Sequence, residues 1–120
     1  MVDRNALVAI LNSLKDPVVF VTPDHVIRHM NDAAARHYEE GWDLLGRSLL
    51  DCHNEKSCAV IREVLARLEA GEEERLITDT PERRIYMRAV RDGSGALLGY
   101  YERYEYPSGA PSAGSTTTVE

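Results

Sequence analysis

Hydrophobic positions along the chain follow a period of 3.6 in some segments and a period of two in others. Leu7, Ile10, Leu11 and Leu14 form one helical stripe within residues 3–15, behind Asp3, Arg4 and Asn5, and Asp16-Pro17 ends it. VVFV (18–21) is a β-branched and aromatic run. The turn Thr22-Pro23-Asp24-His25 separates it from VIRHM (26–30), and the pair predicts a hairpin. From Asn31 the pattern turns helical: Asp32 is the predicted cap of AAARHYEE and Gly41 its close. WDLLG (42–46) predicts another short helical turn. Val60, Ile61, Val64, Leu65 and Leu68 mark the longest helix, with Ala70-Gly71 as its stop signal. RLIT (75–78), RRIYMRAV (83–90) and ALLGYYERYEY (96–106) then alternate as strands. Arg91-Asp92-Gly93-Ser94-Gly95 makes the last hairpin turn. PSGAPSAGSTTTVE (107–120) is small and polar and predicts a disordered tail. This order gives an α+β fold, an antiparallel sheet with helices on one face. It divides into an amphipathic helix (1–15), a domain (16–106) and the tail (107–120).

Composition narrows the function classes. A chain of 120 residues has the length of one domain with a single core. It carries 20 acidic and 14 basic residues, a net charge of −6. Arg62 and Arg67 on the long helix alternate with Glu63 and Glu69, so no basic face forms and nucleic acid is not an expected partner. No apolar stretch approaches the ~20 residues that cross a bilayer, so a membrane is not expected either. The N-terminus lacks the features of a signal peptide. Two cysteines without secretory features fit a reducing cytoplasm.

The chemistry concentrates in LLDCHNEKSC (49–58), which holds both cysteines, Cys52 and Cys58, and His53. A structural zinc site pairs cysteines two to four residues apart and needs four ligands, and no second such pair exists, so no metal is expected. His25, His29 and His37 have no metal-ligand spacing. Nucleophilic catalysis needs a base oriented by a third group, which adjacent residues rarely supply, so an enzyme is not expected. A thiol at a helix N-terminus is favoured as thiolate, which points to Cys52 as a redox candidate if the helix begins near Asn54; Cys58 would then lie inside the helix, buried and inert. The plainer alternative is a helix start. There Asp51 or Asn54 caps, Ser57 bonds in the first turn, and His53 bridges to a backbone group.

The order of elements resembles the PAS fold, a five-stranded antiparallel sheet with short helices and one longer helix on one face. VIRHMNDAAARHY resembles the second PAS strand running into its helix, with Asn31 at the familiar Asn position. WDLLGRSLLDCH resembles the segment leading to the long F helix, and AVRDGSGALLGYYERYE the final hairpin. The likeness covers about residues 16–106. Cys52-His53 followed by Ser57 is further similar to bacterial PAS domains found beside hemerythrin-like domains. Their stretch often reads Cys-His-Pro-Pro-x-Ser; here Asn54 and Glu55 replace the prolines.

The resemblance implies a sensory module that binds a small molecule or a partner protein and signals through a homodimer to a separate effector. It implies no particular cofactor. The position of a haem-ligating histidine on the F helix falls near Val60, not His53, and no CxxCH attachment sequence is present. A flavin-adduct photosensor is disfavoured, because the reactive cysteine motif of that group is missing. Two alternatives stay open: a ligand-free dimerisation domain, and a haem or thiol sensor using His53 or Cys52.

Matched to PAS strands, Ile85 and Met87 face the helices, and in the last strand Gly99, Tyr101 and Arg103 face inward while Tyr100, Glu102 and Tyr104 face outward. The expected ligand contacts are therefore His53, Tyr101 and Arg103 as polar anchors, with Met87, Ile85, Met30 and Trp42 as apolar walls. The outer face, with Tyr86, Val90, Tyr100 and Tyr104, would be covered by the N-terminal helix. The dimer interface is expected at Leu7, Ile10, Leu11, Leu14, Tyr100 and Tyr104.

Overall fold

The computed structural model describes residues 3–107. Part of the first helical segment and, from residue 108 on, the tail expected to be disordered lie outside the described residues. Helix α1 (Arg4–Ser13) starts at Asp3, whose side chain accepts a hydrogen bond from the Ala6 amide, and ends at Leu14. Strands β1 (Val19–Val21) and β2 (Ile27–Met30) form the first hairpin. Helix α2 (Asp32–His37) is followed by 3-10 turns at Gly41–Leu44 and Leu49–Cys52, and then by α3 (Glu55–Glu69). Strands β3 (Glu74–Asp79), β4 (Arg84–Arg91) and β5 (Leu97–Glu105) complete one antiparallel sheet in the order β2-β1-β5-β4-β3. Five strands and a few helices on one face are the predicted α+β architecture.

The core lies between the sheet and α3. Val19 and Val21 of β1, Met87 of β4 and Tyr100 of β5 pack with Ile61, Val64, Leu65 and Leu68 of α3. Helix α3 buries Cys58 together with those four residues, whereas Val60, expected on the same stripe, is 39% exposed. Its stop signal works as written: Gly71 takes a φ of +120° and its amide donates to the Leu68 carbonyl. The Arg91 guanidinium then donates to the carbonyls of Leu68 (2.6 Å) and Glu72 (3.1 Å), tying this helix end to β4.

Two local expectations are corrected. The cap of α2 is Asn31, not Asp32: its Oδ1 accepts from the Ala34 amide, because the residue before the first helical one has the extended backbone a cap needs. Helix α1 sits against α2 instead of being carried by the sheet's outer face; the Asn31 Nδ2 donates to the Leu11 carbonyl and the Asp32 amide to Asn12 Oδ1. Leu7, Ile10 and Leu14 remain exposed. No helix among the described residues is long and apolar enough to cross a membrane.

Candidate functional site

The segment 49–58 is a junction between two helices whose polar groups largely satisfy one another. Ser48 opens the 3-10 turn by accepting from the Leu50 amide, and Asn54 Oδ1 opens α3 by accepting from the Ser57 amide at 2.8 Å. The His53 Nδ1 donates to the Leu49 carbonyl at 2.9 Å. The buried Cys58 thiol donates to the Leu50 carbonyl at 3.2 Å, so it packs as a small apolar residue with a satisfied proton. The Cys52 side chain, the redox candidate, lies outside the described residues. The helix start expected from the sequence is present, and Asn54, not Asp51, caps it. Among the described residues no group of three or more His, Cys, Asp or Glu side chains gathers as a metal site.

The same junction forms one wall of a cavity of about 230 Å³ between α3 and the sheet. His53, Lys56, Ser57, Val60 and Ile61 line it from the helix side. Ile77, Thr78, Ile85 and Glu102 line it from the sheet. Ile61 and Ile85 are buried beneath it, while Val60 and Lys56 are exposed at its rim. With Nδ1 spent on a carbonyl, His53 has only Nε2 left for a partner, as acceptor when the ring is neutral and as donor when it is charged.

Glu102 is the residue the sequence reading faced the wrong way. Residues directly opposite in antiparallel strands share a face. Met87 pairs with Glu102, Ile85 with Tyr104 and Ala89 with Tyr100, so all six face the helices. Tyr101 and Arg103, paired with Arg88 and Tyr86, face the other side. The cause is a bulge: Arg91 pairs with Leu97 but Val90 with Gly99, which leaves Leu98 as an extra residue. Continued without it, the turn register would set Met87 against Tyr101, the expected arrangement. One residue of slip turned every later side chain of β5 over.

Burial is the largest influence on the Glu102 carboxyl and holds its pKa above the ordinary carboxylate range. The charge of His53, a hydrogen bond from Tyr104 and the charge of Arg83 oppose that rise. The Tyr104 hydroxyl lies 3.3 Å from the Tyr38 hydroxyl, and burial, followed by the charge of Glu102, pushes its own proton affinity far up. Tyr100 is fully buried, meets His25 Nδ1 at 2.9 Å, and is raised likewise by burial.

Of the expected ligand contacts, the structure therefore brings together His53 and Ile85. Met87 and Met30 are buried in the main core and do not line this cavity. Trp42 lies on the 3-10 turn, 50% exposed and away from it. Tyr101 is beside Phe20 and Arg88 on the outer face. Arg103 is there too: it holds Glu74 at 2.8 Å and Glu105 at 2.9 Å, and its guanidinium lies 4.3 Å over the Tyr86 ring. Those two carboxylates raise its pKa, and none of its bonds reaches the cavity. Tyr100 and Tyr104, expected in a dimer interface, are buried within the protomer and cannot meet a partner. Lys56, Ser57, Val60, Ile61, Ile77, Thr78 and Glu102 line the cavity without being among the expected contacts. The helical spacing of 53, 56, 57 and 60 was the available signal on the α3 side.

Comparison with known proteins agrees with the architecture. A family model described as PAS domain matches residues 7–104. The search of curated proteins returned no match. Among solved structures, a C-terminal domain from Streptococcus mutans superposes with a TM-score of 0.73 at 23% identity, over 88% of this chain and 85% of that one. A sensory box sensor histidine kinase from Vibrio cholerae reaches 0.60 at 14% identity, over 84% and 88%. The Aer2 receptor from Vibrio cholerae, described as a dual PAS-heme oxygen sensor, reaches 0.56 at 16% identity, over 75% and 92%. Sheet order, helix placement and a family match that spans most of the domain lead to one conclusion: the chain belongs to the PAS domain family.

Proposed function

We propose that this PAS domain is a cytoplasmic sensory module, not an enzyme, that binds a small molecule in the cavity between α3 and the sheet and signals through a homodimer to a separate effector. The observation that carries the reading is the cavity itself, about 230 Å³ with apolar walls and a few convergent polar groups. Cys52-His53 before α3 and Ser57 in its first turn support the likeness to PAS domains found beside hemerythrin-like domains. For the dimer, the support is α1: Leu7 and Ile10 are each 53% exposed and Leu14 44%, an apolar stripe that a second copy would cover.

Native mass spectrometry of freshly purified protein tests the reading. Added mass that leaves on denaturation is the expected result. A bare protein that also takes up nothing from a metabolite extract would leave only a ligand-free interaction domain.

A haem sensor built on His53 is the competing version, favoured by the ring nitrogen left open at the cavity wall. Size weighs against it, since the cavity is smaller than the ~300–1,000 Å³ of pockets for drug-sized ligands. A Soret band in the purified protein would reverse that preference. The thiol version rests on Cys52, because Cys58 is buried and engaged. It predicts an oxidant-dependent change in mobility that Cys52→Ser removes.

A further inference from the structure

The cavity lining is richer in hydrogen-bond donors than in acceptors. Among the described residues, no hydrogen bond or ion pair engages the Lys56 ammonium, the Ser57 hydroxyl or the Thr78 hydroxyl, and all three border the cavity. Lys56 is exposed at the rim. Glu102 is the one acid in the lining, and burial favours its neutral form, in which it too can donate. Lys56 sets an ammonium at the rim of a lining that also holds the Ser57 and Thr78 hydroxyls. A cation entering from the rim would meet the Lys56 ammonium as a like charge. An anion's oxygens meet several donors that have no other partner.

Below the donors the walls are hydrocarbon: Ile61, Ile77 and Ile85. An apolar cavity of ~150 Å³ takes up benzene, so this one suits roughly six to ten non-hydrogen atoms.

We infer that the cavity takes a small monoanion with an apolar body, a short-chain or aromatic monocarboxylate, its carboxylate at the Lys56–Ser57–Thr78 rim and its hydrocarbon against Ile61 and Ile85. The inference rests on the cavity being the ligand site proposed above, and it adds the charge and size of the ligand.

Three probes of one shape separate the charge from the cavity: hexanoate, hexanamide and hexylammonium. Each is titrated into the full chain while the Ile61 and Ile85 methyl resonances are followed by NMR. Hexanoate is expected to bind more tightly than either of the others by on the order of tenfold, the size of one charge-assisted hydrogen bond. Lys56→Gln, at an exposed position, should weaken hexanoate by more than it weakens hexanamide and so close most of the gap between them. Equal binding of hexanoate and hexanamide, or tighter binding of hexylammonium, overturns the charge assignment and leaves the cavity reading standing. Methyl resonances that move with none of the probes overturn both.

Discussion

Asn31 shows how much one side chain can hold. It is fully buried and makes four hydrogen bonds: Oδ1 accepts from the amides of Val18 (2.9 Å) and Ala34 (2.9 Å), and Nδ2 donates to the carbonyls of Leu11 (2.9 Å) and Asp16 (3.1 Å). It thus joins the end of α1, the start of β1 and the cap of α2. Asn31→Ala strands two amides and two carbonyls and should cost ~3 kcal/mol in urea unfolding. Asn31→Asp keeps both acceptor bonds but turns an oxygen toward two carbonyls, so it should lose most of the same stability. An Asp variant as stable as the parent would show that the Nδ2 bonds contribute nothing. Glu102 makes the second prediction at this scale. Its folded pKa lies above the unfolded value, so the stability it contributes is complete below the unfolded pKa and is lost as pH rises through the folded one. Glu102→Gln should therefore raise the urea midpoint more at pH 7.5 than at pH 4.5. The opposite order would mean that His53 and Tyr104 outweigh burial.

At the scale of elements, the strand β5 decides which chemistry reaches the cavity. Its bulge at Leu98 sets Glu102 inward, and Gly99 lets it approach β1. A Cβ on Gly99 would lie 2.2 Å from the Val21 carbonyl and 2.9 Å from the Phe20 ring, and the carbonyl is backbone that cannot swing aside. Gly99→Ala should then separate β1 from β5 at a cost of ~3 kcal/mol, read as a fall in Tm and as loss of amide protection in β1. Protection retained at the parent level would show that the strands can shift apart cheaply. On the outer face, two arginines of the β4–β5 ladder are already held by carboxylates. Arg103 is bound to Glu74 and Glu105, and Arg88 lies 3.3 Å from Glu74.

For the whole molecule, the proposed dimer turns on where helix α1 sits. Helix α1 is attached to the domain through Asn31 and Asn12 near its end, and its apolar stripe of Leu7, Ile10 and Leu14 is left to solvent. If the proposed dimer forms through this stripe, Leu7→Asp with Ile10→Asp should convert it to a monomer in sedimentation at micromolar concentration. Because both positions are exposed, the stability of the protomer should change by no more than about 0.5 kcal/mol per site. A mass unaffected by the pair would remove α1 from the interface.

Much of this molecule follows from the sequence alone, because its elements are local. Apolar spacing marks α1 and α3, Asn54 and Gly71 bound α3 through hydrogen bonds made within a few residues, and alternation marks three strands of the sheet. Their order sufficed for the PAS fold. The site was another matter. Period-two alternation sorts the residues of β5 into two faces but does not say which face is inner. That choice was made by the extra residue at Leu98, seen only when β4 and β5 pair. So His53 and Ile85 were legible as cavity residues, whereas Glu102 and Tyr101 exchanged roles. Contacts between neighbours in sequence are written in the sequence; the register between two strands, and with it the chemistry of the cavity, was decided by tertiary pairing.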